Sequence, residues 1–231
     1  MDQLLIALDV NSADQAIRLS DRLRDLVGGF KIGSRLFTAE GPRLVNELVE
    51  RGHRVFLDLK YHDIPSTVAT AVRAAADLGV WMLTVHASGG LAMLQAAQQA
   101  ATASSSGPRV VAVTVLTSLD DDALRQIGVS KPIPDQVESL AGLALEAGID
   151  GVVASPLEVE CIRARFGPTF TIVTPGIRTS SAGSSDDQAR TLSPAHAVRA
   201  GASYLVVGRP IYAAPDPRSA ALEIAQQIAN A

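Results

Sequence analysis

The segment 58–63 carries three charged side chains, Asp58, Lys60 and Asp63, directly after a short apolar run. Side chains alternate between the two faces of a strand, so Asp58 and Lys60 point to the same side. Charged groups at the end of a buried strand are costly unless they pair with each other. A lysine held between carboxylates stays protonated and can donate a proton. The segment therefore predicts a general acid, with a purely structural ion pair as the alternative.

A second lysine, Lys31, lies between two apolar residues, Phe30 and Ile32, that share the opposite strand face. Lys31 should therefore point to the same rim as the first segment, where Asp58 on the adjacent strand is its natural partner. The alternative is a lysine whose stem packs at a strand end while its ammonium reaches water.

The elements that position these residues follow a repeating strand–helix pattern. Apolar runs predict eight strands, at residues 4–8, 30–32, 55–59, 82–86, 110–115, 151–154, 170–173 and 204–207. Helical patterns follow at residues 12–26, 41–51, 66–78, 91–103, 120–127, 136–146, 157–166, 195–200 and 219–230. Continuous Val/Ile/Leu runs are typical of parallel strands buried on both faces. We expect one domain over residues 1–231, an α/β fold of the closed (β/α)8 TIM-barrel type. An open doubly wound sheet is the alternative, but the glycine-rich fingerprint it needs after the first strand is absent.

Two loops at the predicted active end of the barrel combine glycine with arginine. Gly176 and Arg178 follow the seventh strand, and Gly208 and Arg209 follow the eighth. Barrels of this type often bind phosphate with these two loops. Glycine permits close backbone approach, and arginine offers a fork of donors that matches phosphate oxygens. The loops predict a phosphorylated substrate, with Gln188 as a further donor from the long loop 175–193, which we expect to be a mobile lid.

Composition limits the class of protein. The 231 residues carry a net charge of −4 with few aromatics, which argues against nucleic acid as a partner. Cys161 is the only cysteine, so neither an internal disulfide nor a cysteine metal site is expected. No apolar run is long enough to span a membrane, and the N-terminus resembles a first strand more than a signal peptide. We therefore expect a cytoplasmic protein without membrane contact. His53, in a loop beside a helix, is expected at the surface.

The segment 58–65 resembles the D-x-K-x-x-D-I signature of the orotidine 5'-monophosphate decarboxylase family. The resemblance extends over nearly the whole chain, through Leu8-Asp9-Val10, Phe30-Lys31-Ile32-Gly33, Leu116-Thr117-Ser118, Thr174-Pro175-Gly176-Ile177-Arg178, Asp187-Gln188 and Val207-Gly208-Arg209-Pro210-Ile211. Shorter forms of the signature occur in sugar-phosphate decarboxylases and aldolases of the same suprafamily. Tyr61 and Ser66 depart from the family pattern, where Phe and Asn are expected, without removing a charged role.

The resemblance implies decarboxylation of orotidine 5'-monophosphate to UMP, without metal or organic cofactor, in a homodimer whose sites lie at the interface. The implied catalytic residues are Lys60, Asp58, Asp63 and Lys31, with Asp63 supplied by the partner subunit. The implied substrate contacts are Asp9, Lys31, Ile64, Thr67, Thr117, Ser118, Arg178, Gln188, Gly208 and Arg209. Among these, Asp9, Lys31 and the partner subunit's Thr67 would bind the ribose, and Thr117 and Ser118 would lie against the pyrimidine. The phosphate side would be served by Arg178, Gln188, Gly208 and Arg209.

Two alternatives stay open at this point. A metal-dependent sugar-phosphate decarboxylase or aldolase of the same suprafamily would use carboxylates to hold Mg2+ and an enediolate. A catalytically silent phosphate-binding barrel could serve as a sensor, although such a protein has no need for two inward lysines paired with aspartates.

Overall fold

A computed structural model describes residues 2–178 and 192–231. Eight parallel strands close into a barrel in sequence order, each paired with its neighbours and β1 with β8. The strands are β1 (Leu4–Ala7), β2 (Gly29–Gly33), β3 (Val55–Tyr61), β4 (Met82–His86), β5 (Arg109–Val113), β6 (Gly151–Val153), β7 (Thr171–Thr174) and β8 (Tyr204–Val207). The predicted (β/α)8 barrel is confirmed.

Helices surround the barrel and connect its strands. They are α1 (Ala13–Leu23), α2 (Ser34–Glu50), α3 (Pro65–Asp77), α4 (Leu91–Thr102), α5 (Asp121–Gln126), α6 (Ile133–Glu146), α7 (Val159–Phe166), α8 (Pro194–Arg199), α9 (Arg209–Tyr212) and α10 (Pro217–Ala229). Ser12, Asp120, Ser193 and Asp216 cap α1, α5, α8 and α10 with their side-chain oxygens, which satisfies free backbone N–H groups. No helix among residues 2–178 and 192–231 combines the length and the hydrophobicity needed to cross a membrane.

Two helical features differ from the sequence prediction. Helix α2 begins at Ser34, ahead of the expected start, and is interrupted at Gly41, whose φ of +67° places it in the left-handed region. Pro42 follows that break, where a proline fits the start of a new helical turn. The short helix α9 was not predicted, because a single turn containing Pro210 carries little periodicity.

The core has two layers, as expected for strands that are buried on both faces. One set of side chains fills the barrel interior, namely Leu5, Ala7, Phe56, Met82, Val111, Val173 and Val206. The alternate strand residues, such as Ile6, Leu57 and Leu83, pack outward against the helices.

Strand β3 loses its regular pairing with β4 near the C-terminal end of the barrel. Leu57 pairs with Leu83, and the next pair is Tyr61 with Val85. From one pair to the next the chain advances four residues along β3 but only two along β4. Lys60 lies inside this bulge with a φ of +54°, the only described non-glycine residue with positive φ. Bulges re-aim side chains and occur beside active sites. Here the bulge carries the central lysine of the charged segment.

Candidate active site

A cavity of about 310 Å3 opens at the C-terminal end of the barrel, where active sites of this fold lie. Residues from seven of the eight strands and the loops that follow them line it, all except β4, so distant parts of the sequence meet there. Its lining includes these sequence-predicted residues: Asp9, Lys31, Asp58, Lys60, Thr117, Gly208 and Arg209.

Four of these residues form a group of alternating charge, Asp9–Lys31–Asp58–Lys60, which we call the rim cluster. Lys31 Nζ lies 3.5 Å from Asp58 Oδ2 and 3.9 Å from Asp9 Oδ1. Lys60 Nζ donates to Asp58 Oδ1 at 2.8 Å. The predicted contact between Lys31 and Asp58 is therefore present, and it extends to Asp9.

Asp58 is the centre of the rim cluster. Its side chain is 14% exposed, and that of Lys31 is 12% exposed. Burial acts to raise the pKa of Asp58, but the charges of Lys31 and Lys60 and hydrogen bonds from Lys60 and Thr84 outweigh burial. The pKa of Asp58 is thus held below its ordinary value. The carboxylate is therefore ionised at neutral pH and lies between the two lysine side chains.

Sequence reasoning missed Thr84, a fully buried residue of β4. Its hydroxyl accepts a hydrogen bond from the Lys60 backbone N–H at 2.8 Å and donates one to Asp58 Oδ1 at 3.0 Å. The only signal in the sequence is a polar residue inside the apolar run of β4, in step with the inward-facing Met82 and His86.

Two histidines lie near the rim cluster, and the sequence leaves open whether His86 contacts a ligand or is a satisfied core residue. The rings of His62 and His86 lie 5.3 Å apart between centroids. Burial, followed by the nearby charges of His62 and Lys60, lowers the pKa of His86, against an opposing effect of Asp58. His86 is therefore neutral at physiological pH. His53 is buried, not at the surface as expected, because its ring contacts Asp21 Oδ1 at 3.2 Å and packs edge-on against Phe30.

The end of the charged segment points away from the cavity of its own chain. Asp63 is exposed, and its Oδ1 accepts a hydrogen bond from the Ile64 backbone N–H. Ile64 is 64% exposed, and Thr67 is exposed on the first turn of α3. Within one chain Lys60 therefore has one carboxylate partner in the described residues, Asp58, not two.

The two glycine–arginine loops converge on the cavity. Pro175, Gly176 and Ile177 line it from one side, and Gly208 and Arg209 from the other. Gly176 has a φ of +77°, which favours glycine. Gly208 lies beside the rim cluster: a Cβ at this position would make ordinary contacts, 3.4 Å from Ala7 Cβ and 3.6 Å from Asp9 Oδ2.

The remaining predicted residues lie around this mouth or outside the description. Thr117 lines the cavity, and Ser118 is exposed next to it. Arg178 follows the seventh-strand loop but is not part of the lining. Gln188 and most of the loop 175–193, predicted to be a lid, lie outside the described residues. Across the described parts of the chain, no group of three or more His, Cys, Asp or Glu side chains is arranged to hold a metal ion.

Comparison with known proteins gives consistent results. The family model described as "Orotidine 5'-phosphate decarboxylase / HUMPS family" matches residues 2–224. An orotidine 5'-phosphate decarboxylase of Moorella thermoacetica is 53% identical, over 98% of this chain and 92% of that protein. Its counterpart in Dichelobacter nodosus is 52% identical over 94% of each chain. The crystal structure of orotidine 5'-phosphate decarboxylase from Lactobacillus acidophilus superimposes with a TM-score of 0.86, at 37% identity over 99% of both chains.

The fold and the site define a (β/α)8-barrel protein with a charged rim and two converging glycine–arginine loops at its mouth. The chain belongs to the orotidine 5'-phosphate decarboxylase / HUMPS family.

Proposed function

We propose that this chain catalyses the decarboxylation of orotidine 5'-monophosphate to UMP and CO2, the last step of UMP biosynthesis. The observation that carries the proposal is the pairing of the Lys60 ammonium with Asp58 at 2.8 Å, inside the barrel mouth. The family membership and the identity of about half of all residues to named decarboxylases support it.

The reaction leaves an electron pair on C6 of the pyrimidine, where no conventional π system accepts it. When the bond between C6 and the carboxylate breaks, CO2 leaves and the pair remains on C6. The Lys60 ammonium stabilises this charge, and then its Nζ transfers a proton to C6, which gives UMP. Solvent returns a proton to the Lys60 amine. Atoms and charge therefore balance without an added cofactor.

The rim cluster supports the proton donor electrostatically. Its two lysines and two aspartates sum to zero formal charge, so attraction between neighbours of opposite sign holds the Lys60 ammonium in place. A substrate carboxylate bound near Asp58 is repelled: two like charges ~4 Å apart at an effective dielectric of ~20 interact with about 4 kcal/mol. Loss of CO2 relieves that repulsion at the step where the bond breaks.

Binding far from the reacting carbon offsets this cost. Arg178, Gln188, Gly208 and Arg209 are proposed for the phosphate, and the convergence of the two glycine–arginine loops on one cavity supports this. Asp9 and Lys31 are proposed for the ribose hydroxyls, and Thr117 and Ser118 for the pyrimidine edge. Phosphate binding can stabilise the transition state through the geometry that it imposes on the base.

We further propose a homodimer in which the partner subunit's Asp63 and Thr67 complete the site, with Ile64 also contacting the substrate. The exposure of all three side chains, Ile64 above all, supports a subunit interface that covers this surface.

The closure of the barrel by pairing of β1 with β8 supports a single domain over residues 1–231. The activity is proposed to reside in the cytoplasm, where its nucleotide product is used.

The function is tested with purified protein and orotidine 5'-monophosphate by following the loss of orotate absorbance and the release of CO2. We expect turnover at the same rate with and without EDTA, and none with orotate alone. No turnover would contradict the proposed activity. Turnover that EDTA abolishes would favour the metal-dependent class of the same suprafamily.

The shared site is tested by mixing two inactive variants, Lys60→Ala and Asp63→Ala, under conditions that exchange subunits. Each heterodimer should then contain one intact site, so we expect activity to return, up to about a quarter of the wild-type value if subunits mix at random. Proven heterodimers without activity would show that Asp63 acts within its own chain.

A further inference from the structure

We propose that Thr84 is a positioning residue for the decarboxylation: its hydroxyl fixes the backbone of Lys60 and the carboxylate of Asp58 in the arrangement that aims the Lys60 ammonium at the reacting carbon. This inference rests on the proposed function and assigns a role to a residue in the barrel wall. Thr84 does not line the cavity and touches its charged groups from behind.

Thr84 is placed for this role by the bulge in β3. Leu57 and Leu83 are the last regular partners of the two strands, and pairing resumes only at Tyr61 and Val85. Within the gap, the Lys60 N–H donates to the Thr84 hydroxyl, 2.8 Å away. A side chain of β4 thus accepts a hydrogen bond from the β3 backbone at the point where β3 departs from regular pairing.

Chemistry fixes the direction of both hydrogen bonds of this hydroxyl. A backbone N–H can only donate, so Thr84 Oγ1 accepts from Lys60. An ionised carboxylate can only accept, so Thr84 Oγ1 donates to Asp58 Oδ1, at 3.0 Å. The same carboxylate oxygen accepts from Lys60 Nζ at 2.8 Å. Thr84 therefore closes a ring of hydrogen bonds that runs from the Lys60 backbone N–H through Thr84 and Asp58 to the Lys60 ammonium.

The backbone of Lys60 needs such a restraint. Its φ of +54° lies in the left-handed region, which is disfavoured for a residue with a Cβ. Strained conformations persist where surrounding contacts hold them, and they cluster at active sites. Without the hydroxyl, Lys60 would lose its backbone hydrogen bond, and Asp58 would lose a donor that helps to lower its pKa.

Thr114 offers a matched control. It is also buried, and its hydroxyl donates to the Val153 carbonyl oxygen at 2.9 Å, between β5 and β6. None of its hydrogen bonds in the described part of the chain involves the rim cluster. Thr114→Val therefore removes a buried hydroxyl of the same type without altering the contacts of Lys60 or Asp58.

The experiment compares Thr84→Val, Thr84→Ser and Thr114→Val as full-length proteins. For Thr84→Val we expect kcat to fall by about 10- to 100-fold with KM changed by less than about threefold, because a small misplacement of a reacting group is costly. Thr84→Ser keeps the hydroxyl and should stay within about threefold of the wild-type kcat. Thr114→Val should keep the wild-type kcat even where its thermal stability falls.

A pH profile separates positioning from general destabilisation. A hydrogen bond to the charged form lowers a carboxyl pKa, so losing it raises that pKa. In Thr84→Val, the fall of kcat on the acid side of its pH profile should therefore begin at a higher pH, because Asp58 is protonated more easily. Thr84→Ser and Thr114→Val should keep the acid side of the wild-type profile. A wild-type kcat and a wild-type acid side of the profile in Thr84→Val, or equal losses in Thr84→Val and Thr84→Ser, would overturn the proposal.

Two further measurements keep the test decisive. If Thr84→Val does not fold, Thr84→Ala provides a smaller hydroxyl-free variant, and a kcat equal to that of Thr84→Ser would overturn the proposal. Amide hydrogen exchange at Lys60 does not depend on turnover: it should be faster in Thr84→Val than in Thr84→Ser, and equal rates would overturn the positioning. Wild-type protein that releases no CO2 would instead overturn the proposed function, while the exchange comparison still tests the role of Thr84.

Discussion

Each end of the barrel holds two basic side chains around one central group, which is an aromatic ring at the N-terminal end and a carboxylate at the C-terminal end. At the N-terminal end, the guanidinium groups of Arg54 and Arg109 each lie 5.7 Å from the ring centroid of Trp81. Tyr204 packs edge-on against that ring, with centroids 5.3 Å apart, and its hydroxyl accepts from Arg109 at 2.9 Å. At the C-terminal end, Lys31 and Lys60 surround a partly buried carboxylate, Asp58.

The backbones that support these groups differ as well. The N-terminal end keeps regular pairing, with Met82 opposite Arg109 and each following residue in step. The C-terminal end contains the bulge of β3 and the left-handed Lys60. Among the described residues, the left-handed Lys60 and the charged rim cluster thus lie at the same end of the barrel, while aromatic and cation–π packing stabilises the other end. If the two ends have separate roles, a substitution at one end should leave the property that depends on the other unchanged.

Trp81→Ala should produce the largest loss of stability without loss of catalysis. The substitution removes a large aromatic ring and, with it, the cation–π contacts that the ring makes with Arg54 and Arg109. The free energy of unfolding should therefore fall by ~3 kcal/mol. Urea unfolding measures this, and kcat below the transition should equal the wild-type value. A kcat that falls together with stability would show that the two ends are not independent.

Arg209→Ala should weaken binding of phosphate-bearing ligands by ~2 kcal/mol, since hydrogen bonds to charged groups are the strong ones. Calorimetry with UMP and with uridine measures the difference, and only UMP should lose affinity. Arg51→Ala, at the surface end of α2, serves as the control. Equal losses for UMP and uridine would count against a phosphate site at Arg209.

Two substitutions of the same lysine measure the strain at the rim. Lys60→Gly should be more stable than Lys60→Ala by ~1 kcal/mol, because glycine adopts positive φ without steric cost. Chemical denaturation of both proteins gives the difference. The same pair at Lys131, where φ is not positive, should favour alanine or show no preference. No advantage for glycine at position 60 would argue against stored strain.

The pH dependence of stability should reflect Asp58. Its pKa in the folded protein is lowered from 3.8, chiefly by Lys31 and Lys60 acting against burial. Such a group contributes stability above its unfolded pKa and loses it as the pH falls through the folded pKa. The cost of Asp58→Asn should therefore shrink below about pH 4. A cost that is the same at pH 7 and pH 3 would contradict this sign.

Much of the barrel was predictable because its signals are local. Eight apolar runs gave eight strands, and β4 and β8 have the predicted bounds. The proximity of Lys31 and Asp58 followed from strand alternation and neighbouring strand order alone. Helix α9 and the early start of α2 carried no comparable periodicity, and His53 is buried through a contact with Asp21 that is distant in sequence.

The rim was only partly predictable, because its geometry depends on contacts between strands. A bulge is a difference in register between β3 and β4, which neither strand encodes by itself. Thr84 was missed for the same reason: a threonine in a strand is common, and its role emerges only when Lys60 turns its N–H toward it. The signature also suggested that Lys60 lies between two carboxylates, whereas one chain brings only Asp58 to it within the described residues.

The central claim is that the Lys60 ammonium, held by Asp58, is the proton donor for decarboxylation. The most direct test is single-turnover decarboxylation of orotidine 5'-monophosphate by Lys60→Ala, with folding and UMP binding verified beforehand. We expect a folded protein that binds UMP and whose rate is at least ~10³-fold below wild type, from loss of both general acid and charge stabilisation. A rate close to that of the wild type would contradict the account.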